Sequence, residues 1–463
     1  MEKVLPYIEA NKERYLKELK EFLAIPSVSS QKDHDADMLK CANWVADQMR
    51  TIGMENVQIL PTGGHPLVYG NWLHSPEKPT VLFYGHYDVQ PVDPLNLWTS
   101  PPFEATIRGE NLYARGSADD KGQVFIHFKA IEAYMKQVGS LPVNIKLLIE
   151  GEEEVGSENL DRFVQEHKEM LKANLVVISD SGMYAKGVPS ICYSLRGLSY
   201  MEVEVTGPNR DLHSGSFGGS VHNPVQALCE LIASLHDKNG KVTVKGFYDS
   251  VRPLTKAERI SFKKLPFSDK KYAKELGVKQ LYGEKGFTTL ERVWARPTLE
   301  CNGIWGGYTE EGAKTVLPAK ASAKISMRLV PDQTSAEIAK LFEKHFTKIA
   351  PKTIDVKVRM LHGGEAAITP IDSPGVKAAV AALEKGFGKK PLYQREGGSI
   401  PIVVQFKNIL GLDTVLLGFG LPDENAHSPD EFINLGNFFG GIRTSAYFYN
   451  ELPNFWKSSH KKK

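Results

Sequence analysis

The chain has 463 residues, 41% hydrophobic and 24% charged, a globular composition with length for more than one core. Lys+Arg 57 against Asp+Glu 55 leaves a formal charge of +2, which excludes a global basic field for nucleic acid and an acidic solvated tail. Cys41, Cys192, Cys229 and Cys301 lie far apart without CxxC spacing, so neither a disulfide framework nor a zinc knuckle is indicated and a reducing cytoplasm fits.

The opening "MEKVLPYIEANKERYLKEL" lacks the apolar core of a signal peptide, and no apolar run is long enough for a bilayer span. The expectation is a soluble, cytoplasmic protein acting on a small molecule, with no nucleic-acid or membrane partner. Leu5, Ile8, Leu16, Leu19, Phe22 and Leu23 recur at helical spacing and predict an amphipathic helix ending at "IPSVSS". Next come a strand "TVLFYG" (80–85), a helix over 122–137, a strand "VNIKLLI" (143–149), a helix over 158–171 and a strand "NLVVIS" (174–179). Such alternation predicts a mainly parallel, doubly wound α/β sheet.

After about Ser190 the pattern changes to "LSYMEVEVTG", alternating as in an antiparallel sheet with one wet face. Strands at 322–330 and 354–361 and a helix over 335–349 continue this α+β texture, and the charged stretch 241–296 has no clear period. From Ser373 the doubly wound pattern returns with a helix to Lys385, the strand "TVLLGFG" (414–420) and a helix over 431–451. The predicted organisation is an α/β domain of residues 1–190 plus 373–463, interrupted by an inserted α+β domain of residues 191–372.

Ligands of open parallel sheets bind beyond the carboxyl ends of the strands. There the chain places His86 and Asp88, Asp119 and Asp120, the cluster Glu150, Glu152, Glu153 and Glu154, then Asp180 and His427. Two imidazoles with several carboxylates form a donor set for zinc or manganese, and the acid surplus predicts two divalent ions, with one carboxylate able to bridge them. Cations would also relieve the repulsion within "EGEEE". Adjacent residues at a strand end point in different directions, so these carboxylates can divide the work, and Glu152 is expected to face solvent and Glu150 to have a supporting role.

"GHYDVQP" (85–91), "ARGSADDKG" (114–122), "EGEEEVGS" (150–157), "ISDSG" (178–182), "DLHSG" (211–215) and "DENAHS" (423–428) resemble, in order and spacing, the co-catalytic metallopeptidases of family M20. "GAKTVLP", "MRLVP" and "REGGSIP" look most like its cytosolic nonspecific dipeptidase and carnosinase branch. The resemblance implies a catalytic α/β domain with an inserted lid that forms a homodimer. It implies that His86 and Asp180 hold one ion, Glu154 and His427 the other, and that Asp119 bridges them. It further implies Asp88 as orienter of His86, Glu153 as general base and His213 as oxyanion donor, in related dimers from the other subunit. Arg328 is a candidate clamp for a substrate carboxylate, and Thr315, Glu396, Gly397, Gly398 and Ser399 are candidate pocket residues.

The expected activity is hydrolysis of dipeptides. Within the family the alternatives are an N-acyl-amino-acid deacylase or a carboxypeptidase; outside it, a catalytically silent binding protein. A serine hydrolase reading of "GGSIP" departs from G-x-S-x-G at Pro401 and leaves the acidic cluster unexplained.

Overall fold

The computed structural model describes residues 1–398 and 400–460, so Ser399 lies outside the described residues. The chain forms two compact units: Met1–Tyr193, Thr369–Gln394 and the chain from Gln405 onward make the first, Ser194–Ile368 and Arg395–Val404 the second. The segment Arg395–Val404, expected in the α/β domain, thus belongs to the second unit. Its ties are an ion pair from Arg395 to Glu258, and Arg196, whose backbone N–H and Nε donate to the carbonyls of Gly398 and Gly397.

In the first unit the sheet runs in the order Glu55–Leu60, Leu67–Trp72, Asn144–Glu150, Thr80–His86, Leu175–Ile178, Thr414–Leu416, Ser190–Leu195. The strands from Asn144–Glu150 to Thr414–Leu416 are parallel, and the flanking pairs are antiparallel. Every residue of Asn144–Glu150 is buried, as expected for a strand covered on both faces. The register sets His86 beside Glu150 and Tyr84 beside Ile178, so the carboxyl ends share one edge.

Helix Lys121–Val138 is buried along most of its length, with Phe125 stacked on Phe438 of helix Leu435–His460. It stops at Gly139, whose φ of 74° supplies the left-handed cap. The expected N-terminal helix is two, Val4–Ala10 and Lys12–Leu23, because the Asn11 amide donates to the Tyr7 carbonyl at 2.8 Å and competes with continuation. Strands Glu55–Leu60 and Leu67–Trp72 extend the expected sheet. The run at 414–420 is strand only to Leu416: a Cβ at Gly418 would lie 2.1 Å from the Ser181 carbonyl, so the backbone leaves the ladder there.

The second unit carries an antiparallel sheet ordered Thr298–Gly306, Lys320–Leu329, Gly197–Thr206, Asp355–Gly364. Gly197–Thr206 alternates buried and half-buried residues as its sequence predicts. Met201, Val203, Val205, Ile325 and Met327 face a core with Phe342 and Phe346 of helix Ser335–Ile349. On the wet face Glu202 pairs with Arg359 and Glu204 with Lys320. The stretch 241–296 contains three short helices, Lys256–Lys263, Asp269–Glu275 and Thr289–Ala295. Capping boxes Thr255/Glu258 and Thr288/Glu291 start two of them. No helix among the described residues is long and apolar enough to cross a membrane.

Candidate metal centre

His86 ends its strand fully buried, with Nε2 3.1 Å from Asp119 Oδ1 and Nδ1 3.1 Å from the Asp88 carbonyl. His427 Nε2 lies 2.9 Å from Asp119 Oδ2 and 3.3 Å from Glu154 Oε2. Each oxygen of Asp119 therefore faces a different imidazole. Donor atoms of His86, Asp119 and Asp180 lie within 4.8 Å of one another, as do those of Asp119, Glu154 and His427. These are two overlapping donor triads that could each hold a metal ion, with Asp119 in both, all within the first unit.

Asp88 does more than face His86. Its buried carboxylate accepts from the backbone N–H of Glu153 at 3.3 Å and of Glu154 at 3.1 Å, and from Ser29 Oγ at 2.7 Å. It thus pins the turn Glu153–Val155 to the strand that carries His86. Ser29, and Gln90, whose Nε2 donates to Glu154 Oε2 at 2.7 Å, are supporting residues that the sequence reading missed. Gln90 stands within "GHYDVQP", but nothing in its spacing says which carboxylate it meets.

The crowding of "EGEEE" is resolved by separate partners. Glu150 accepts from Tyr84 Oη and from Ser157 Oγ, and burial pushes its carboxyl up to about 7. Glu152, expected to face solvent, is instead buried at 8% exposure and accepts from Asn159 Nδ2 at 3.1 and 3.0 Å. The reason is a tight reversal at Gly156 and Ser157, with φ of 95° and 52°, which folds Asn159 back over it. A side chain at Gly151 would meet the Tyr87 ring, its Cβ 2.4 Å from Oη, so this turn packs closely against the 86–89 segment.

The electrostatics fit a cation site. Burial, with Asp119 and other neighbouring carboxylates, holds Asp180 well above the ordinary range. Glu153 is pushed up to about 8 by burial, His86 opposing and Glu154, Asp119 and Asp88 reinforcing. His427 is raised to about 10 by its hydrogen bonds to Asp119 and Glu154. Burial opposes charge on His86, yet hydrogen bonds to Asp119 and Asp88 outweigh it and hold that imidazole well above 6.5. Asp180 and Glu153 are thus held toward neutrality. Against burial, Asp119 is held well below the ordinary carboxylate range by its hydrogen bonds to His427 and His86, whose imidazoles stay charged in place of a cation; divalent ions would displace those protons.

That gives a signed prediction. An imidazole with a raised pKa carries a proton at pH 7 and must lose it to bind metal, so metal affinity should rise with pH up to and through about 10, where His427 is half deprotonated. Calorimetry at pH 7 in two buffers of different ionisation enthalpy should show more than one proton released per chain as the ions bind. Uptake without proton release would contradict this charge pattern.

The remaining candidate residues lie in the second unit. His213 is exposed, with Nδ1 accepting from the Gly215 N–H at 3.0 Å. Strand Leu212–His213 pairs with Val316–Leu317, and the Ser214 N–H donates to the Thr315 carbonyl at 2.9 Å, so His213 and Thr315 are neighbours. Arg328 is half-buried on the sheet's wet face, opposite Leu198 and Thr298. Glu396 and Gly397 are half-buried and Gly398 exposed; a Cβ at Gly397 would lie 3.1 Å from Arg196 Nη2, a close approach that suits glycine.

The Cys-Gly metallodipeptidase DUG1 of Candida albicans is 35% identical over 456 residues, 94% of each chain. Beta-Ala-His dipeptidase of Homo sapiens is 34% identical over 469 residues, 98% of this chain and 92% of the relative. Among solved structures, human carnosine dipeptidase 1 superposes with a TM-score of 0.79 at 34% identity, covering 98% of each chain. The M20 family metallo-carboxypeptidase Sso-CP2 from Sulfolobus solfataricus gives 0.82 at 35% identity, covering 95% of this chain and 99% of that one. The model of Peptidase family M20/M25/M40 matches residues 82–451, a span that carries both ligand triads, and with these relatives it establishes that the chain belongs to that family.

Proposed function

We propose that the chain is a dinuclear metallopeptidase that hydrolyses the peptide bond of dipeptides. The observation that carries the reading is the sharing of Asp119 by two ligand triads, with Glu153 held beside them in neither. Imidazole and carboxylate donors suit zinc or manganese: His86, Asp180 and Asp119 for one ion, Glu154, His427 and Asp119 for the other. When bound, such ions supply Lewis acidity, lowering the pKa of a water and polarising a carbonyl oxygen.

Glu153 takes the proton from the attacking water and returns it to the leaving amine. It lies in neither triad, so its carboxylate stays free to accept a proton and hand it on. Asp88 fixes that base by gripping its backbone N–H, and the same carboxylate holds the next residue, Glu154. His213 is assigned to the developing oxyanion and Arg328 to the substrate carboxylate, for which a planar bidentate fork is suited. Thr315, Glu396, Gly397, Gly398 and Ser399 are assigned to the substrate pocket.

A homodimer through the second unit is part of this reading. Thr298–Gly306 is an edge strand of its sheet and exposes Ile304 and Trp305, which a second copy would cover. A cytoplasmic setting is supported by four free cysteines.

The similarity to a metallo-carboxypeptidase at 35% identity makes a carboxypeptidase the second reading. A panel of dipeptides, tripeptides and N-acetyl amino acids, assayed with zinc and with manganese, separates them. The proposal expects dipeptides to be cleaved at least tenfold faster than the rest, and activity to vanish with a chelator. Faster trimming of longer peptides would establish the carboxypeptidase, preference for acyl substrates the deacylase, and no turnover the binding protein.

A further inference from the structure

Glu431 is fully buried, four residues beyond His427, and its carboxylate is filled by four donors from one loop. Oε1 accepts from the backbone N–H of Ala118 at 2.9 Å and of Asp119 at 3.1 Å. Oε2 accepts from the Gly116 N–H at 3.0 Å and from Arg115 Nη1 at 2.7 Å. The Glu431 carbonyl in turn accepts from the Ala114 N–H at 3.1 Å. Loop 114–119 is therefore wrapped around one side chain supplied by the segment that carries His427. Successive loop amides converging on a point favour an anion there, and here the chain provides it.

Strands Asn111–Tyr113 and Phe432–Asn434 zip the same two segments together, with Phe432 opposite Tyr113. The His427 segment also needs anchoring. Asn425, His427 and Asp430 have φ of 56°, 61° and 58°, a left-handed region that side chains other than glycine occupy only when their surroundings hold them there. Asp430 provides one anchor, accepting from Thr99 Oγ1 at 2.6 Å and Arg108 Nη2 at 2.9 Å, and Glu431 provides the next.

We propose that Glu431 is a positioning residue for the two-ion centre, fixing the shared ligand Asp119 and the His427 segment in one register. The proposal rests on the two-ion reading above. Because Asp119 belongs to both triads, loss of Glu431 should weaken both ions together, whereas Asp180 and His427 each belong to one triad.

Glu431→Gln keeps the size of the side chain but turns one acceptor oxygen into an NH2 group facing N–H donors. Competition with a chromophoric chelator for zinc or manganese should show both affinities lowered by about 10- to 100-fold, the range for outer groups that orient ligands. With a dipeptide substrate, kcat should recover as free metal is raised, at unchanged KM. A lower melting temperature without metal-dependent recovery, or wild-type affinity for both ions in the folded variant, overturns the proposal. A wild-type chain that takes up no ions overturns instead the reading on which it rests.

If Glu431→Gln does not fold, hydrogen exchange on the metal-free wild-type chain decides. The amides of Gly116, Ala118 and Asp119 should exchange slowly, as buried donors to a carboxylate. Exchange at the rate of a free loop overturns the proposal.

Discussion

Glu153→Gln is expected to lower kcat by about 10²- to 10⁴-fold, the usual contribution of a positioned general base, while metal content stays at the wild-type level. Glu153 belongs to neither ligand triad, so the amide should not release an ion. Its backbone N–H remains available to Asp88 and its volume is nearly unchanged, so the turn Glu153–Val155 should keep its place. Only the capacity to take up a proton is removed. Metal analysis and dipeptide turnover on the same preparation check the result. Near-wild-type kcat would remove Glu153 from the mechanism, and loss of one ion would make it a ligand.

Asp119→Asn should have the opposite signature, with both ions lost together and turnover with them. The carboxylate presents one oxygen to His86 and the other to His427, and no neutral amide can supply two anionic oxygens. Metal affinity should fall by more than about 100-fold at both positions, beyond the range seen for groups that only orient ligands. Asp180→Asn and His427→Ala, each confined to one triad, should leave the other ion less affected. Chelator competition across the three variants separates the cases. One tight site surviving in Asp119→Asn would show that the triads do not share it.

The residues of the candidate centre could be found in the sequence because parallel strands bring their carboxyl ends to one edge, where His86 ends one such strand and Asp180 comes just after another. The carboxylate turn was harder. Adjacent residues at a strand end diverge, which separates Glu153 from Glu154, but the burial of Glu152 depends on a reversal at Gly156–Ser157 that returns Asn159 to it. Ser29, Gln90 and Glu431 act through hydrogen bonds to groups distant in sequence, several of them backbone N–H, and a residue list does not encode those partners. In the fold, alternation in "LSYMEVEVTG" marked the wet-faced strand, since one face packs on helices and the other meets water. The helices of 241–296 are short, so their hydrophobic period is weak; "TKAE" and "TTLE" were the signals, as capping boxes rather than as periodicity.

In the proposed centre, this sheet edge holds two ions through one shared carboxylate, Asp119. The direct measurement strips the chain with a chelator, dialyses it against zinc or manganese, and follows bound metal per chain together with dipeptide turnover. Two ions per chain, with full turnover only when both positions are filled, is the predicted result. A single ion at saturation, or turnover that survives complete chelation, would contradict it.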